Sequence, residues 1–124
     1  MIRGLGLDLA RVARVQEAWQ RFGQRFLERC FTPGEIAACL KRPRPAQALA
    51  MRFAAKEAFA KAAGLGMRGL GWTEIEVISD ALGKPSLALH GRARAWAEGQ
   101  GVTACHLSLS DDGDYAAAVV VLEG

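Results

Sequence analysis

Long hydrophobic runs are missing from this chain, and its N-terminus has no basic stretch leading into an apolar core, so neither a membrane span nor an export signal is indicated. The expectation is a cytosolic protein with no membrane partner. Cysteine is sparse: Cys30, Cys39 and Cys105 are odd in number, far apart and set among apolar residues, which excludes a disulfide framework and a thiolate zinc site. They read as reduced core thiols. Internal repeats and low-complexity tails are also absent, and the one proline-rich stretch, Lys41-Arg42-Pro43-Arg44-Pro45, is too short to link two domains. Residues 1–124 therefore form a single domain, small enough that assembly with other copies is plausible. What the chain does have is a globular composition, with 51% hydrophobic and 23% charged residues. Its 16 basic and 13 acidic side chains leave +3, concentrated between Arg3 and Arg68. That excess suits an anionic ligand or an acidic protein partner.

The pattern along the chain predicts an α+β domain with an antiparallel sheet and one long helix packed on it. Met1 to Leu9 reads as a strand in which Met1, Leu5, Leu7 and Leu9 are separated by Arg3, Gly4 and Gly6, with Asp8 near its end. A carboxylate there, beside glycines that admit a close ligand, could hold a metal or cap the next helix. From Ala10 the period becomes helical, with Val12, Val15, Trp19 and Phe22 as the apolar stripe and Arg11, Arg14, Arg21 and Arg25 beside it. Gln24 to Phe31 predicts a second short helix. Thr32-Pro33-Gly34-Glu35 is a helix start: the Thr hydroxyl caps free N–H groups, Pro needs no donor at the first position, and Glu35 closes a capping box.

The run Arg52-Phe53-Ala54-Ala55-Lys56-Glu57-Ala58-Phe59-Ala60-Lys61-Ala62-Ala63-Gly64 predicts the long helix, stopped by Gly64. At about 100° per residue, Ala46, Ala50, Phe53, Ala54, Glu57 and Lys61 share one side, and Arg52, Lys56, Phe59 and Ala63 the other. The first side is mostly methyl groups, so a backbone or a ligand can approach it. By spacing alone, Glu57 and Lys61 form an ordinary exposed pair worth a few tenths of a kcal/mol, and Arg52 and Lys56 are solvated or face a neighbouring subunit. The glycine-rich segment from Gly64 to Gly71 is a loop without the Lys-Ser/Thr ending of a nucleotide-binding loop. Trp72 to Ser79 and Ser86 to Leu89 read as strands around the Gly83-Lys84-Pro85 turn, and Gly91 to Glu98 as a helix. Val102 to Ser110 alternates, with Cys105, Leu107 and Leu109 on one face and Ala104, His106, Ser108 and Ser110 on the other. Tyr115 to Leu122 reads as a strand buried on both faces that pairs back as a hairpin.

Gly6-Leu7-Asp8-Leu9, Phe31-Thr32-Pro33-Gly34-Glu35, the Arg52–Gly64 run, Gly83-Lys84-Pro85 and His106-Leu107-Ser108-Leu109-Ser110, in that order and covering nearly the whole chain, resemble the holo-[acyl-carrier-protein] synthase family. This is the short, trimeric type of the 4'-phosphopantetheinyl transferase superfamily. The resemblance implies transfer of phosphopantetheine from coenzyme A to a serine of acyl carrier protein. It implies Mg²⁺ held by Asp8 and Glu57, Lys61 reaching the phosphates or the leaving group, and Glu57 or a water it orients as base. It also implies a coenzyme A site shared across a homotrimer boundary, with Arg52, Lys61, Gly64, Lys84, Pro85, His106, Ser108 and Ser110 contributing. The elbow cations and Arg52 are the candidates for the 3'-phosphate. Arg14, Arg21 and Arg25 would dock the acidic carrier protein. Asp111 departs from the family, which usually has His there, and a carboxylate facing coenzyme A phosphates would repel them. The alternative is a non-catalytic basic module for RNA or an acidic protein. Against an RNA partner, Trp19, Phe22, Phe26, Phe53 and Trp96 lie on helical apolar faces and are not interleaved with the cations as stacking platforms.

Overall fold

A computed structural model describes residues 1–124. The order is β1 (Ile2–Arg11), α1 (Val12–Phe22), α2 (Gln24–Cys30), α3 (Pro33–Leu40), α4 (Pro45–Ala63), a 3₁₀ turn (Trp72–Glu74), β2 (Ile75–Ser79), β3 (Pro85–Leu89), α5 (Gly91–Gly99), β4 (Ala104–Asp112) and β5 (Tyr115–Glu123). Every strand pairing is antiparallel: β1-β5-β4 form one sheet and β2-β3 a second. The strand β1 outruns its predicted end because its ladder with β5 continues to Arg11 opposite Tyr115, and the Val12 N–H then donates to the Asp114 carbonyl at 2.9 Å. The 3₁₀ turn replaces the first residues of the strand predicted from Trp72. There the Glu74 carboxylate accepts from the Gly71 and Arg92 backbone N–H groups.

The helix α4 is the hub. Gly64 in the left-handed conformation (φ 75°) ends it as predicted, while its start lies at Pro45, seven residues before the Arg52 run, because a proline in the first turn needs no donor. Its division into two sides does not hold, because the helix is enclosed nearly all round: Ala50, Ala54, Ala55, Ala58, Phe59 and Lys56 have no exposed surface. Backbone reaches the helix at Ala58 and Ala62, positions in neither of the two sides. A Cβ on Gly4 or Gly6 would overlap the Ala62 or Ala58 carbonyl, so only glycine lets β1 lie this close to α4. Two apolar clusters flank the helix. One joins Phe59, Ala58, Ile75, Val77, Val120 and Leu122, and the other joins Leu49, Ala50, Leu27, Phe31, Cys39 and Ala116. Cys30 and Cys39 are buried and Cys105 is half-buried; burial raises the thiol pKa of all three above the ordinary value.

A buried ion pair ties α3, α4 and β2 together. Lys56 Nζ lies 2.7 Å from Glu35 Oε1, donates to the Trp72 carbonyl at 3.0 Å and sits above the Phe31 ring. The same Glu35 accepts from the Thr32 N–H at 3.0 Å, closing the predicted capping box, and from the Val77 N–H at 2.9 Å. Lys56 is thus neither solvated nor turned to a neighbour. Desolvation pushes its pKa down while Glu35 pushes it back up. Arg52, one turn earlier, is buried too: Nη1 reaches only the Ala48 carbonyl at 3.5 Å, and buried Nε has no hydrogen-bond partner.

The sheet has two unlike faces. Asp8, Ala10, Ala116, Ala118, Val120 and Leu122 turn towards α4 and are buried. On the other face Leu5, Leu7 and Leu9 are 64–65% exposed, and Ala117, Val119 and Val121 are only half-covered. The strand β5 is therefore buried on one face, not both, because no element of this chain covers its outer side.

Candidate active site

The period of β1 puts Asp8 on the α4 side, opposite Ala118, with 7% of its surface exposed. The helix crosses it so that Glu57 and Lys61, one turn apart, face the same place. Lys61 does not form the simple helix-surface pair with Glu57 that spacing alone predicts. Its Nζ lies 3.0 Å from Asp8 Oδ1 and 3.1 Å from the Leu7 carbonyl, bridging helix to strand. Burial raises the Glu57 pKa, and the neighbouring Asp8 carboxylate raises it further; Lys61 and Arg14 pull it partly back. Asp8 and Glu57 line a cavity of about 220 Å³ whose far wall is Arg14, Val15 and Ala18 of α1, with Phe26 and Phe53 at its apolar side. Two carboxylates, two cations and an apolar wall thus converge from four elements.

Asp8 and Glu57 fit a hard divalent cation. Two crowded carboxylates, one already raised in pKa by the other, gain from a positive charge between them. No cluster of three or more His, Cys, Asp or Glu exists in the chain, so a closed protein cage is not available. Mg²⁺ asks for less: one or two carboxylates, with water and substrate phosphate oxygens completing its shell.

The family model of the 4'-phosphopantetheinyl transferase superfamily matches residues 4–120. The chain belongs to this superfamily. Holo-[acyl-carrier-protein] synthase of Solidesulfovibrio magneticus is 52% identical over 125 residues, covering 100% of both chains, and that of Geobacter sulfurreducens is 47% identical over 124 residues, covering 99% of this chain and 98% of the relative. Among solved structures, holo-[acyl-carrier-protein] synthase of Neisseria meningitidis superposes with a TM-score of 0.93 at 42% identity, covering 100% of each chain. The Helicobacter pylori enzyme, solved in complex with coenzyme A, superposes with a TM-score of 0.85 at 29% identity, covering 96% of this chain and 99% of that one. The α+β architecture read from the sequence is the fold of these phosphopantetheinyl transferases.

The remaining sequence-predicted residues of this superfamily member fall into three places. Arg14, Arg21 and Arg25 are exposed, the first two on α1 and the third on α2; Arg21 lies over the Phe22 ring, and Phe22 itself points outward instead of completing the apolar stripe. Gly64 caps α4, while Lys84 and Pro85 lie at the β2–β3 turn, which Asp80 closes by accepting from the Lys84 N–H at 2.9 Å. His106, Ser108 and Ser110 share the outer sheet face with Leu5, Leu7 and Leu9, away from Asp8 and Glu57, and His106 pairs with Glu123 at 2.9 Å. Within one chain the sheet itself separates them from the carboxylates. No motif points to Gln47 and Met51, which join Arg42, Arg44 and Asp111 around a second pocket of about 240 Å³. The wheel of the long helix already set Phe53 beside Glu57, but Ala18 and Phe26, also in the cavity wall, carry only the signal of an apolar position on a helix, which every core residue shares.

Proposed function

We propose that this chain transfers the 4'-phosphopantetheine group of coenzyme A to a serine of apo acyl carrier protein in the cytosol, giving holo carrier protein and adenosine 3',5'-bisphosphate, with Mg²⁺ held by Asp8 and Glu57. The observation that carries the reading is the convergence of Asp8 and Glu57 on one cavity, with Lys61 paired to Asp8, in a chain that matches holo-[acyl-carrier-protein] synthases from end to end. Bound there, Mg²⁺ would neutralise pyrophosphate charge and orient the phosphoryl group.

The protein's own part is positional and protonic. Glu57, in the cavity wall beside Asp8, takes the proton of the attacking serine hydroxyl directly or through a water it orients. The serine oxygen bonds to the β-phosphorus, and the bond from that phosphorus to the bridging oxygen of the nucleotide breaks. Lys61 is more than half exposed and can turn from Asp8 to phosphate oxygens, countering the charge left on adenosine 3',5'-bisphosphate. The apolar wall of Val15, Phe26 and Phe53 keeps water from competing with the serine. Arg14 stands at the cavity and Arg21 and Arg25 beyond it, so an acidic carrier protein would be steered with its serine towards Glu57.

The outer sheet face gives His106, Ser108 and Ser110 their place. A leucine stripe this exposed is what a second and third copy would cover, bringing those three side chains and Lys84-Pro85 to a neighbour's site in a homotrimer. Arg42 and Arg44 at the elbow, backed by the unpartnered Arg52, would hold the 3'-phosphate. The aromatic side chains pair with one another, Phe53 with Trp72 at 4.6 Å and Phe59 with Trp96 at 6.1 Å, which argues against a nucleic-acid platform. Incubation with coenzyme A, Mg²⁺ and apo carrier protein should give the phosphopantetheine adduct by mass spectrometry, and Glu57→Gln should abolish it without unfolding the protein. A folded protein that modifies no carrier, or a Glu57→Gln variant with full activity, would refute the reading. Light scattering should report three copies per particle.

A further inference from the structure

The alternation of β4 decides where Asp111 points. It shares its parity with Cys105, Leu107 and Leu109, and its register partner is the buried Ala116, so its carboxylate lies on the α4 side of the sheet. There Gln47 Nε2, in the first turn of α4, donates to Asp111 Oδ2 and bridges the end of the sheet to the start of the helix. This bridge forms part of the wall of the 240 Å³ pocket whose other polar members are Arg42 and Arg44. Neither arginine has an acidic partner within ion-pair distance, so both guanidinium groups are free to bind an anion. Asp111 works against them twice. Its negative charge faces whatever anion they hold, and it occupies the amide of Gln47, the one neutral donor among the lining side chains.

We propose that Asp111 sets how strongly this enzyme prefers coenzyme A over the form lacking the 3'-phosphate, by opposing that phosphate in the Arg42–Arg44 pocket. The proposal rests on the reading that the elbow holds the 3'-phosphate. Two guanidinium groups alone would reward the phosphate with paired charge-assisted hydrogen bonds and make the preference steep. A carboxylate in the same wall repels the dianion, and an amide already engaged adds nothing to it. The outcome is a flatter discrimination, set by a residue remote from Asp8, Glu57 and Lys61.

The test compares kcat/KM for coenzyme A and for 3'-dephospho-coenzyme A in wild type, Asp111→Asn and Arg44→Gln. Asp111→Asn keeps an acceptor for the Gln47 amide and removes only the charge, so the bridge and the fold are retained. The ratio of coenzyme A to dephospho-coenzyme A should rise about tenfold, which corresponds to about 1.4 kcal/mol. Arg44→Gln should lower it. A ratio unchanged or reduced in Asp111→Asn, while Arg44→Gln lowers it, overturns the role of Asp111 and leaves the elbow as the phosphate seat. A ratio unmoved by Arg44→Gln shows that the elbow does not seat the 3'-phosphate, and both statements fall together. Binding of adenosine 3',5'-bisphosphate against adenosine 5'-monophosphate by calorimetry should show the same order of variants.

Discussion

Two lysines on one helix, Lys56 and Lys61, each bind a carboxylate supplied by another element, and their circumstances differ. Lys56 and Glu35 have side chains with 0% exposure, whereas Lys61 is 55% exposed and its partner Asp8 only 9%. Around Lys56 the donors and acceptors are nearly used up: two backbone carbonyls on the ammonium, and the Thr32 and Val77 N–H groups on Glu35. A pair so enclosed holds elements in place and has no access to a substrate. Around Lys61 the cation is more than half exposed, its carboxylate partner lies beside Glu57 in the cavity wall, and a new anion can compete for it. The same residue type closes its bonds on itself at Lys56 and stays open to an incoming anion at Lys61.

Breaking the closed pair should have the largest effect. Lys56→Met strands Glu35 in the interior and should cost about 3–5 kcal/mol of stability, read from chemical denaturation. The double variant Lys56→Met with Glu35→Leu should recover much of that loss; a single variant as stable as wild type would erase the contrast with Lys61. Next comes Lys61→Met, for which transfer should fall by roughly 10²–10³, equivalent to about 3–4 kcal/mol in the barrier. Its stability should stay within about 1 kcal/mol of wild type, because Lys61 itself is more than half exposed and water can replace it beside Asp8. Equal losses of stability in the two lysine variants would contradict the distinction.

Arg52 sharpens the comparison from between the two cases, being buried like Lys56 but without its partners. Arg52→Met should leave stability unchanged or raise it by about 1 kcal/mol, since an apolar side chain of similar length removes an uncompensated charge. Coenzyme A affinity should fall, and calorimetry reads both halves of the trade. The smallest effect is expected at Glu76, a carboxylate only partly enclosed beside the Lys56 corner. Thr32 Oγ1 donates to it at 2.6 Å and His90 pairs with it at 2.9 Å, and these bonds hold its pKa below the ordinary 4.5. A depressed carboxylate contributes stability above its unfolded pKa and loses it as pH falls through the folded value. Glu76→Gln should therefore cost about 1 kcal/mol at pH 7 and flatten the loss of stability below about pH 4.5. A parallel acid limb in wild type and variant would remove Glu76 from that account.

Much of this was legible in the chain. The Thr32–Glu35 capping box, Gly64 as the stop of α4, and the alternation of β1 and β4 are local signals, each carried by residues within a turn or a few positions of one another. The pattern also singled out Asp8, Glu57 and Lys61 through the resemblance, and the structure brings these three together. Less legible were the surroundings. The wheel of α4 gave Lys56 and Arg52 a solvated or subunit-facing side, yet the helix is enclosed by the sheet, α3 and the 3₁₀ turn. The outward face of β5 looked buried because a run of Val and Ala carries no sign of whether one face of the strand or both are covered within the chain.

The sequence by itself determined most of the elements, their caps and the alternation along β1 and β4, because these follow from backbone periods and from hydrogen bonds closed within a few residues. Only the tertiary structure decided which lysine is a strut and which stays exposed beside Asp8. Glu35 lies 21 positions from Lys56, and Asp8 lies 53 positions from Lys61. Contacts made across such separations depend on how helix and sheet pack, and here that packing rests on two glycines of β1 that bring Asp8 within reach of Lys61.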